Sequence, residues 1–151
     1  MKIFVTVGTT KFDALVEFLD QNLDKSYEVL FQISDGKYIP KNFEYIIYSD
    51  DINSLYQKYD YVITHAGAGT IYKLLDLKKK FKVVPNLDRI DQHQTDIADF
   101  VDANGYAISC SDFKDIPPAL DILPKKEFNQ YEKHVFFKTK EICQFITESL
   151  A

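Results

Sequence analysis

One stretch of the sequence, YDYVITHAGAGTIYKLL from Tyr59 to Leu75, combines residue types that suit the binding of an anion. A β-branched run leads to His65, small residues follow, and apolar residues then recur at helical spacing. A strand that enters a helix through a glycine turn directs several backbone N–H groups and the positive end of the helix dipole towards one point. Glycine also admits a ligand close to the main chain, because no Cβ intervenes. The stretch predicts a phosphate site, and a tight turn that serves only packing is the alternative.

Two further stretches carry polar groups that suit a phosphorylated sugar. Thr9 and Thr10 offer hydroxyl and N–H groups, unless they only cap the first helix. A loop from Asn86 leads to Asp91-Gln92-His93-Gln94, whose side chains suit sugar or ribose hydroxyls, unless they form an Asp-capped helix start. His65 either donates to a phosphate or sugar oxygen or is a structural histidine. The candidate binding residues are Gly8, Thr9, Thr10, His65, Ala66, Gly67, Ala68, Gly69, Thr70, Asn86, Asp91, Gln92, His93 and Gln94.

The elements that must position these residues alternate along the chain. Strand patterns are predicted at residues 2–7, 27–33, 45–48, 61–64, 81–84 and 106–109, with helical patterns between most of them. This alternation predicts an α/β fold with a doubly wound, Rossmann-like parallel sheet. In such a sheet the loops after the strands lie at one edge. Gly8 to Thr10, His65 to Thr70 and Asn86 to Gln94 all follow strands, so we expect them to converge there.

Composition narrows the class of protein. A length of 151 residues with 46% hydrophobic and 27% charged residues indicates one globular domain, residues 1–151. A net charge of −5 argues against nucleic-acid partners, so an anionic ligand must be held by local dipoles. The two cysteines fit a reducing cytosol, and the sequence contains neither a signal peptide nor an apolar run of membrane-spanning length. We therefore expect a cytoplasmic protein whose link to a membrane requires a partner.

Other chemistries lack their motifs. The sequence has no nucleophile elbow, no Walker loop and no His-Glu-x-x-His pair, so a hydrolase, the weakest of the alternatives considered, is disfavoured. The turn after the first strand lacks the Gly-x-Gly-x-x-Gly fingerprint, and no cluster of ligands requires a metal. We therefore expect neither a cofactor nor a metal.

Three motifs together resemble one family. The opening FVTVGTTKFDALV, the central HAGAGTI and the later VVPNLDRIDQHQTDIADF with GYAISC are similar to the donor-binding half of family 28 glycosyltransferases. The resemblance covers residues 1–110, in order. It extends to the small cytosolic subunits of split enzymes, both the N-acetylglucosaminyltransferase acting on dolichol-linked sugar and bacterial capsule or exopolysaccharide counterparts. The implied fold is the C-terminal half of a GT-B enzyme.

The resemblance implies a role for each matched motif. Gly8 and Thr9 would border the cleft facing a partner subunit, and His65 with the residues from Gly67 to Thr70 would surround the diphosphate of a UDP-sugar. Asp91, His93 and Gln94 would face the donor sugar or phosphates. Lys73 departs from the pattern, because related enzymes carry there an acidic residue that holds the ribose hydroxyls, and a lysine cannot accept those hydrogen bonds. Either other groups hold the ribose, or Lys73 faces solvent or phosphate, or donor binding is weaker.

The implied reaction is metal-independent transfer with inversion from a UDP-sugar to a lipid-linked (polyprenyl diphosphate) saccharide. Backbone N–H groups and a helix dipole would stabilise the departing diphosphate. The catalytic candidates on this chain are His65 and His93, and the base that deprotonates the acceptor lies on this chain or on a membrane-anchored, acceptor-binding subunit. A non-catalytic nucleotide-binding or stabilising subunit is the alternative, which Lys73 favours.

The end of the chain has helical spacing of its apolar residues from Phe128 to Leu150. Its aromatic surface exceeds what a domain of this size needs. In single-chain members of the resembled family the C-terminal helix crosses to the other half of the enzyme. We therefore expect residues 128–150 to form a helix that docks on the partner subunit.

Overall fold

The structure is a computed structural model that describes residues 1–87 and 93–132. Six strands lie along this part of the chain, and helices separate them except between the second and the third, in agreement with the sequence pattern. The strands are β1 (Lys2–Thr6), β2 (Glu28–Gln32), β3 (Glu44–Ile46), β4 (Tyr61–His65), β5 (Phe81–Val84) and β6 (Ile108–Ser109). The helices are α1 (Asp13–Asn22), α2 (Ile52–Lys58), α3 (Ala68–Asp76), α4 (His93–Ala103) and α5 (Ile116–Ile122), with a 3₁₀ turn at Phe113–Asp115 before α5.

The six strands form one sheet in the order β3-β2-β1-β4-β5-β6, and every pairing is parallel. The predicted Rossmann-like α/β fold is therefore confirmed. The order of connections reverses between the neighbouring central strands β1 and β4. Parallel sheets of this type bind ligands outside the carboxyl ends of the strands at such a reversal, because the two adjacent loops diverge and leave a crevice.

Helices cover both faces of the sheet. Alternate residues of β1 point to opposite faces, so Ile3 and Val5 join one core with α1 and α5, whereas Phe4 joins the other with α2, α3 and α4. Full burial of an aliphatic or aromatic side chain of this size contributes about 1.5–3 kcal/mol. The two cores therefore hold the strand ends, and the loops that leave them, in a rigid frame.

The proline pair Pro117-Pro118 lies in the first turn of α5, where backbone N–H groups have no partner within the helix, so the helix accommodates both residues.

The predicted C-terminal helix does not begin at Phe128. Residues 128–132 are not helical. The Asn129 N–H donates to the carbonyl of Gly105 at 2.9 Å, and its side-chain Nδ2 donates to the carbonyl of Asn104 at 2.9 Å. Phe128 packs against the first core. These contacts hold the segment against the connection between α4 and β6, and the rest of the predicted helix lies outside the described residues.

Among residues 1–87 and 93–132 there is no helix with the length and apolar character that a membrane crossing demands.

Candidate functional site

An open cleft of about 760 Å³ lies at the carboxyl ends of the strands, where β1 and β4 are neighbours. Three segments line it: the turn after β1, the segment from the end of β4 into α3, and the first turn of α4. The lining residues are Gly8, Thr9, Thr10, His65, Ala66, Gly67, Ala68, Gly69, Thr70, His93, Gln94, Asp96 and Ile97.

Eleven of the fourteen predicted site residues are therefore brought together in one cleft. Asp91 and Gln92 lie outside the described residues, and Asn86 is not among the residues that line the cleft. Asp96 and Ile97 also line the cleft but are not among the predicted residues. Helical spacing supplies the signal that identifies them, because residues three and four positions after His93 lie on the same face of a helix.

The His65 ring lies close to two glycines, Gly8 and Gly67. His65 is 7% exposed and ends β4. A Cβ added at Gly8 would be 2.7 Å from His65 Cε1, and a Cβ added at Gly67 would also be 2.7 Å from that atom. Both distances are too short for a real carbon contact. The lack of a side chain at Gly8 and Gly67 therefore makes room for the imidazole, and the imidazole joins the β1 turn to the start of α3.

The N-terminus of α3 opens into the cleft without a side-chain cap. Gly67 is the N-cap residue and makes no side-chain hydrogen bond. The Gly67 carbonyl accepts from the Ile71 N–H, so the N–H groups of Ala68, Gly69 and Thr70 precede the helical hydrogen bonds. A Cβ built on Gly69 would meet no atom within 4 Å outside its own helix backbone among residues 1–87 and 93–132, so this position faces open space there. Three backbone donors and the positive helix end are thus available to an anion.

The turn after β1 does not cap the first helix. The N-cap residue of α1 is Phe12, with no side-chain hydrogen bond, so neither Thr9 nor Thr10 has that role. Gly8 has φ of +64°, and the Val7 carbonyl accepts from the Thr10 N–H at 3.3 Å. Because Thr9 keeps negative φ, this is the geometry of a type II′ turn, which requires glycine at its second position.

The first turn of α4 presents two different polar groups. His93 is exposed at the helix start, whereas Gln94 is 8% exposed. Gln94 Oε1 accepts from the Asn86 N–H at 2.9 Å, which ties the loop after β5 to α4. The carbonyl oxygen of Gln94 is therefore occupied, and its NH₂ group is the one that remains for a ligand.

A buried tyrosine lies behind the start of α3. Tyr56 of α2 is 3% exposed, packs against the Phe4 ring, and is hydrogen-bonded to the Thr70 side chain. Burial raises the pKa of Tyr56, and the hydrogen bond with Thr70 lowers it by less, so the net shift is upward. Tyr56 stays neutral at physiological pH and supports Thr70 from the core side.

The cleft-lining residues include no lysine or arginine within the part of the chain that the structure describes. Lys73 is exposed on α3 and lies outside the cleft. Of the three explanations for a lysine at this position, its exposure favours a solvent-facing side chain. Among the described residues, positive potential in the cleft thus comes from backbone dipoles. Within residues 1–87 and 93–132, no three histidine, cysteine or acidic side chains are grouped as metal ligands.

Comparison with known proteins adds independent findings. Residues 2–144 match the model of the glycosyltransferase family 28 C-terminal domain. The human UDP-N-acetylglucosamine transferase subunit ALG13 is 32% identical over 123 residues, which cover 72% of this chain and 11% of the human protein. The chain therefore matches only a small part of that relative's length.

Two solved structures share the fold. The crystal structure of Acinetobacter baumannii MurG has a TM-score of 0.63 and 21% identity, over 82% of this chain and 41% of the MurG chain. A solution NMR structure of ALG13 has a TM-score of 0.61 and 20% identity, over 93% of this chain and 94% of that chain. At these identities the likeness concerns the fold alone. The family match spans nearly the whole sequence, and the chain belongs to the glycosyltransferase family 28 C-terminal domains.

Proposed function

We propose that this chain binds a UDP-sugar in the cleft and acts in sugar transfer as the donor-binding subunit of a glycosyltransferase. The observation that carries the proposal is the uncapped start of α3 beside His65, at the point where β1 and β4 meet in a family 28 domain. UDP-N-acetylglucosamine is the donor we infer, because the human relative is named as a transferase of that sugar.

The backbone geometry suits the departure of UDP. The N–H groups of Ala68, Gly69 and Thr70 would hydrogen-bond the diphosphate and gain strength as charge develops on it. This arrangement needs no positively charged side chain in the cleft. We therefore propose metal-independent transfer, with direct displacement and inversion at the anomeric carbon, and expect activity to persist in EDTA.

The two histidines are proposed to have different roles. His65 is nearly buried beside the start of α3, a position suited to hydrogen bonding with the donor phosphates. His93 also lines the cleft and is exposed at the start of α4, so it is accessible to an acceptor hydroxyl. We assign His93 as the candidate general base on this chain, with a base on a partner subunit as the alternative.

The acceptor is proposed to be a lipid-linked saccharide presented by a membrane-anchored partner. The name of the human relative, a transferase subunit, supports a division of the reaction between chains. In this arrangement the chain works at the cytoplasmic face of a membrane through its partner. Among the split enzymes that the sequence resembles, those of bacterial capsule and exopolysaccharide synthesis would follow the same arrangement.

Calorimetric titration of the isolated chain with UDP tests donor binding, with UMP as the comparison because it lacks the second phosphate. We expect UDP to bind more tightly than UMP. Absence of UDP binding would overturn the proposal.

Sugar transfer is then measured with the chain and its acceptor-binding partner together. His93→Ala is expected to keep UDP affinity and lower kcat by about 10²–10⁴-fold, the usual contribution of a general base. An unchanged kcat would assign the base to the partner. UDP binding with no transfer in the complete pair would instead favour a non-catalytic nucleotide-binding subunit.

A further inference from the structure

A row of three polar side chains crosses the sheet beneath the cleft. Gln32 of β2, Thr6 of β1 and Thr64 of β4 are in register, and all three are buried, with exposures of 4%, 0% and 0%. They share a sheet face with Phe4 and Val62. Polar groups are rarely placed in a core without a hydrogen-bonding reason, because an unpaired polar group there is destabilising.

Two members of this row hold the peptide groups of Gly8. Thr6 Oγ1 accepts from the Gly8 N–H at 3.1 Å and donates to Gln32 Oε1. Gln32 Nε2 in turn donates to the Gly8 carbonyl at 3.1 Å. The two side chains and the Gly8 backbone form a closed ring of hydrogen bonds, and this ring joins β2 to the turn after β1.

The ring determines which backbone donor of the turn remains for a ligand. The Gly8 N–H is bound to Thr6, and the Thr10 N–H is bound to the Val7 carbonyl. Among residues 1–87 and 93–132, nothing supplies a hydrogen-bond partner for the Thr9 N–H, and Thr9 is exposed in the cleft. Gly8 also lies against His65, so a shift of the turn would disturb the imidazole.

We propose that Thr6 and Gln32 are positioning residues for donor binding: they hold the Gly8 turn so that the Thr9 N–H joins the N-terminus of α3 in binding the donor diphosphate. The inference rests on the proposed function. Neither side chain lines the cleft, so both act through Gly8.

The test compares Thr6→Val with Thr64→Val, two identical substitutions at fully buried and directly paired positions. Thr6→Val removes the hydroxyl that holds Gly8. Thr64→Val removes a hydroxyl that is buried without a hydrogen-bond partner among the described residues. Thr6→Ser restores the hydroxyl, and Gln32→Met keeps an unbranched side chain of similar length but loses both polar atoms.

The first measurement is the UDP dissociation constant of the full chain. We expect this constant to rise about tenfold in Thr6→Val and Gln32→Met, because the Thr9 N–H is displaced from its binding position. In Thr64→Val and Thr6→Ser it should stay within about twofold of the wild-type value. Absence of UDP binding by the wild-type chain would overturn the proposed function itself. If the wild-type chain binds UDP, and Thr6→Val and Gln32→Met bind it with the same affinity, only this inference is overturned.

The second measurement separates positioning from general loss of stability. Amide hydrogen exchange should accelerate at Gly8 in Thr6→Val, while strand amides such as that of Val5 keep their protection. If UDP binding weakens while exchange accelerates uniformly over the chain, the inference is contradicted. It is also contradicted if Thr6→Ser does not restore UDP binding. If Thr6→Val does not fold, Gln32→Met provides the same comparison against Thr64→Val.

Discussion

Three glycines around the cleft serve three physical needs. Gly8 has positive φ and lies against the His65 ring, so a side chain there would be strained and would clash. Gly67 has ordinary φ and matters only because the same ring approaches it. A Cβ added at Gly69 would meet no atom within 4 Å outside its own helix backbone among the described residues. The sequence pattern predicts the same role for Gly67 and Gly69, but a side chain at Gly67 would meet His65, whereas one at Gly69 would enter open space.

Substitution of Gly69 by alanine separates ligand binding from folding. Because the site is open and helical, Gly69→Ala is expected to stabilise the fold by about 1 kcal/mol. The added methyl group would stand between the helix N-terminus and a diphosphate, so we expect UDP affinity to fall at least about tenfold, roughly 1.4 kcal/mol. Calorimetry and thermal unfolding measure the two effects.

Lys73→Ala is the matched control for this variant. Lys73 is exposed on the same helix but outside the cleft, so its removal should leave UDP affinity within about twofold. If Gly69→Ala binds UDP as tightly as wild type does, the diphosphate does not contact the start of α3.

At the scale of elements, α1 secures the connection between β2 and β3 through a buried carboxylate. Asp20 is 1% exposed and accepts hydrogen bonds from the N–H groups of Lys41 and Asn42 and from the Tyr38 hydroxyl, at 2.8 to 3.0 Å. Burial acts to raise the pKa of Asp20, but these donors outweigh it and leave the pKa below its ordinary value. The loop thus depends on a charged acceptor rather than on backbone pairing.

Asp20→Asn is expected to lower the free energy of unfolding by about 2 kcal/mol near neutral pH, because charge-assisted hydrogen bonds are lost. The folded-state pKa lies below the unfolded value of about 3.9, so this contribution is complete above that pH and is lost as pH falls through the folded-state pKa. Urea unfolding of both proteins from pH 7 to pH 3 should show the difference shrinking below about pH 4.

Asp24→Asn serves as the control for this prediction. The Asp24 carboxylate lies just beyond the same helix, is exposed, and within the described part of the chain accepts hydrogen bonds only from Ser26. A loss of stability as large in Asp24→Asn as in Asp20→Asn would show that net charge, and not the loop contacts, determines the effect.

At the scale of the whole molecule, residues 128–132 connect the domain to the remainder of the chain. Tyr131 contacts the rings of Tyr72 and Tyr106, with centroid distances of 5.9 and 5.7 Å, and Phe128 packs on the opposite core. These residues belong to the folded domain. The proposed partner-docking segment therefore starts later than the sequence pattern indicated.

Truncation after Glu132 is expected to preserve UDP affinity and thermal stability while abolishing capture of the membrane-anchored subunit in a pull-down. Truncation after Glu127 should in addition lower the free energy of unfolding by about 2 kcal/mol or more, because two aromatic contacts are lost. Undiminished partner capture by the shorter variant that ends at Glu132 would refute docking through residues 133–151.

The sequence predicted much of the site because strand, turn and helix patterns are local. Gly8, His65 and His93 follow or adjoin predicted strand ends, and parallel connections bring such positions to one edge. The first turn of α4 was incompletely predicted, since Asp96 and Ile97 line the cleft only because they follow His93 by three and four positions in a helix.

What the sequence determined by itself is the alternation of elements, the family resemblance and the convergence of three loops, since each depends on neighbours in the chain. Only the tertiary structure decided which side chains support those loops. Gln32 reaches Gly8 across 24 positions, His65 fills the space beside Gly8, and Lys82 is fully buried with its Nζ 3.6 Å from Cys110 Sγ. Such contacts join residues far apart in sequence, and local periodicity contains no information about them because they exist only once the strands have paired.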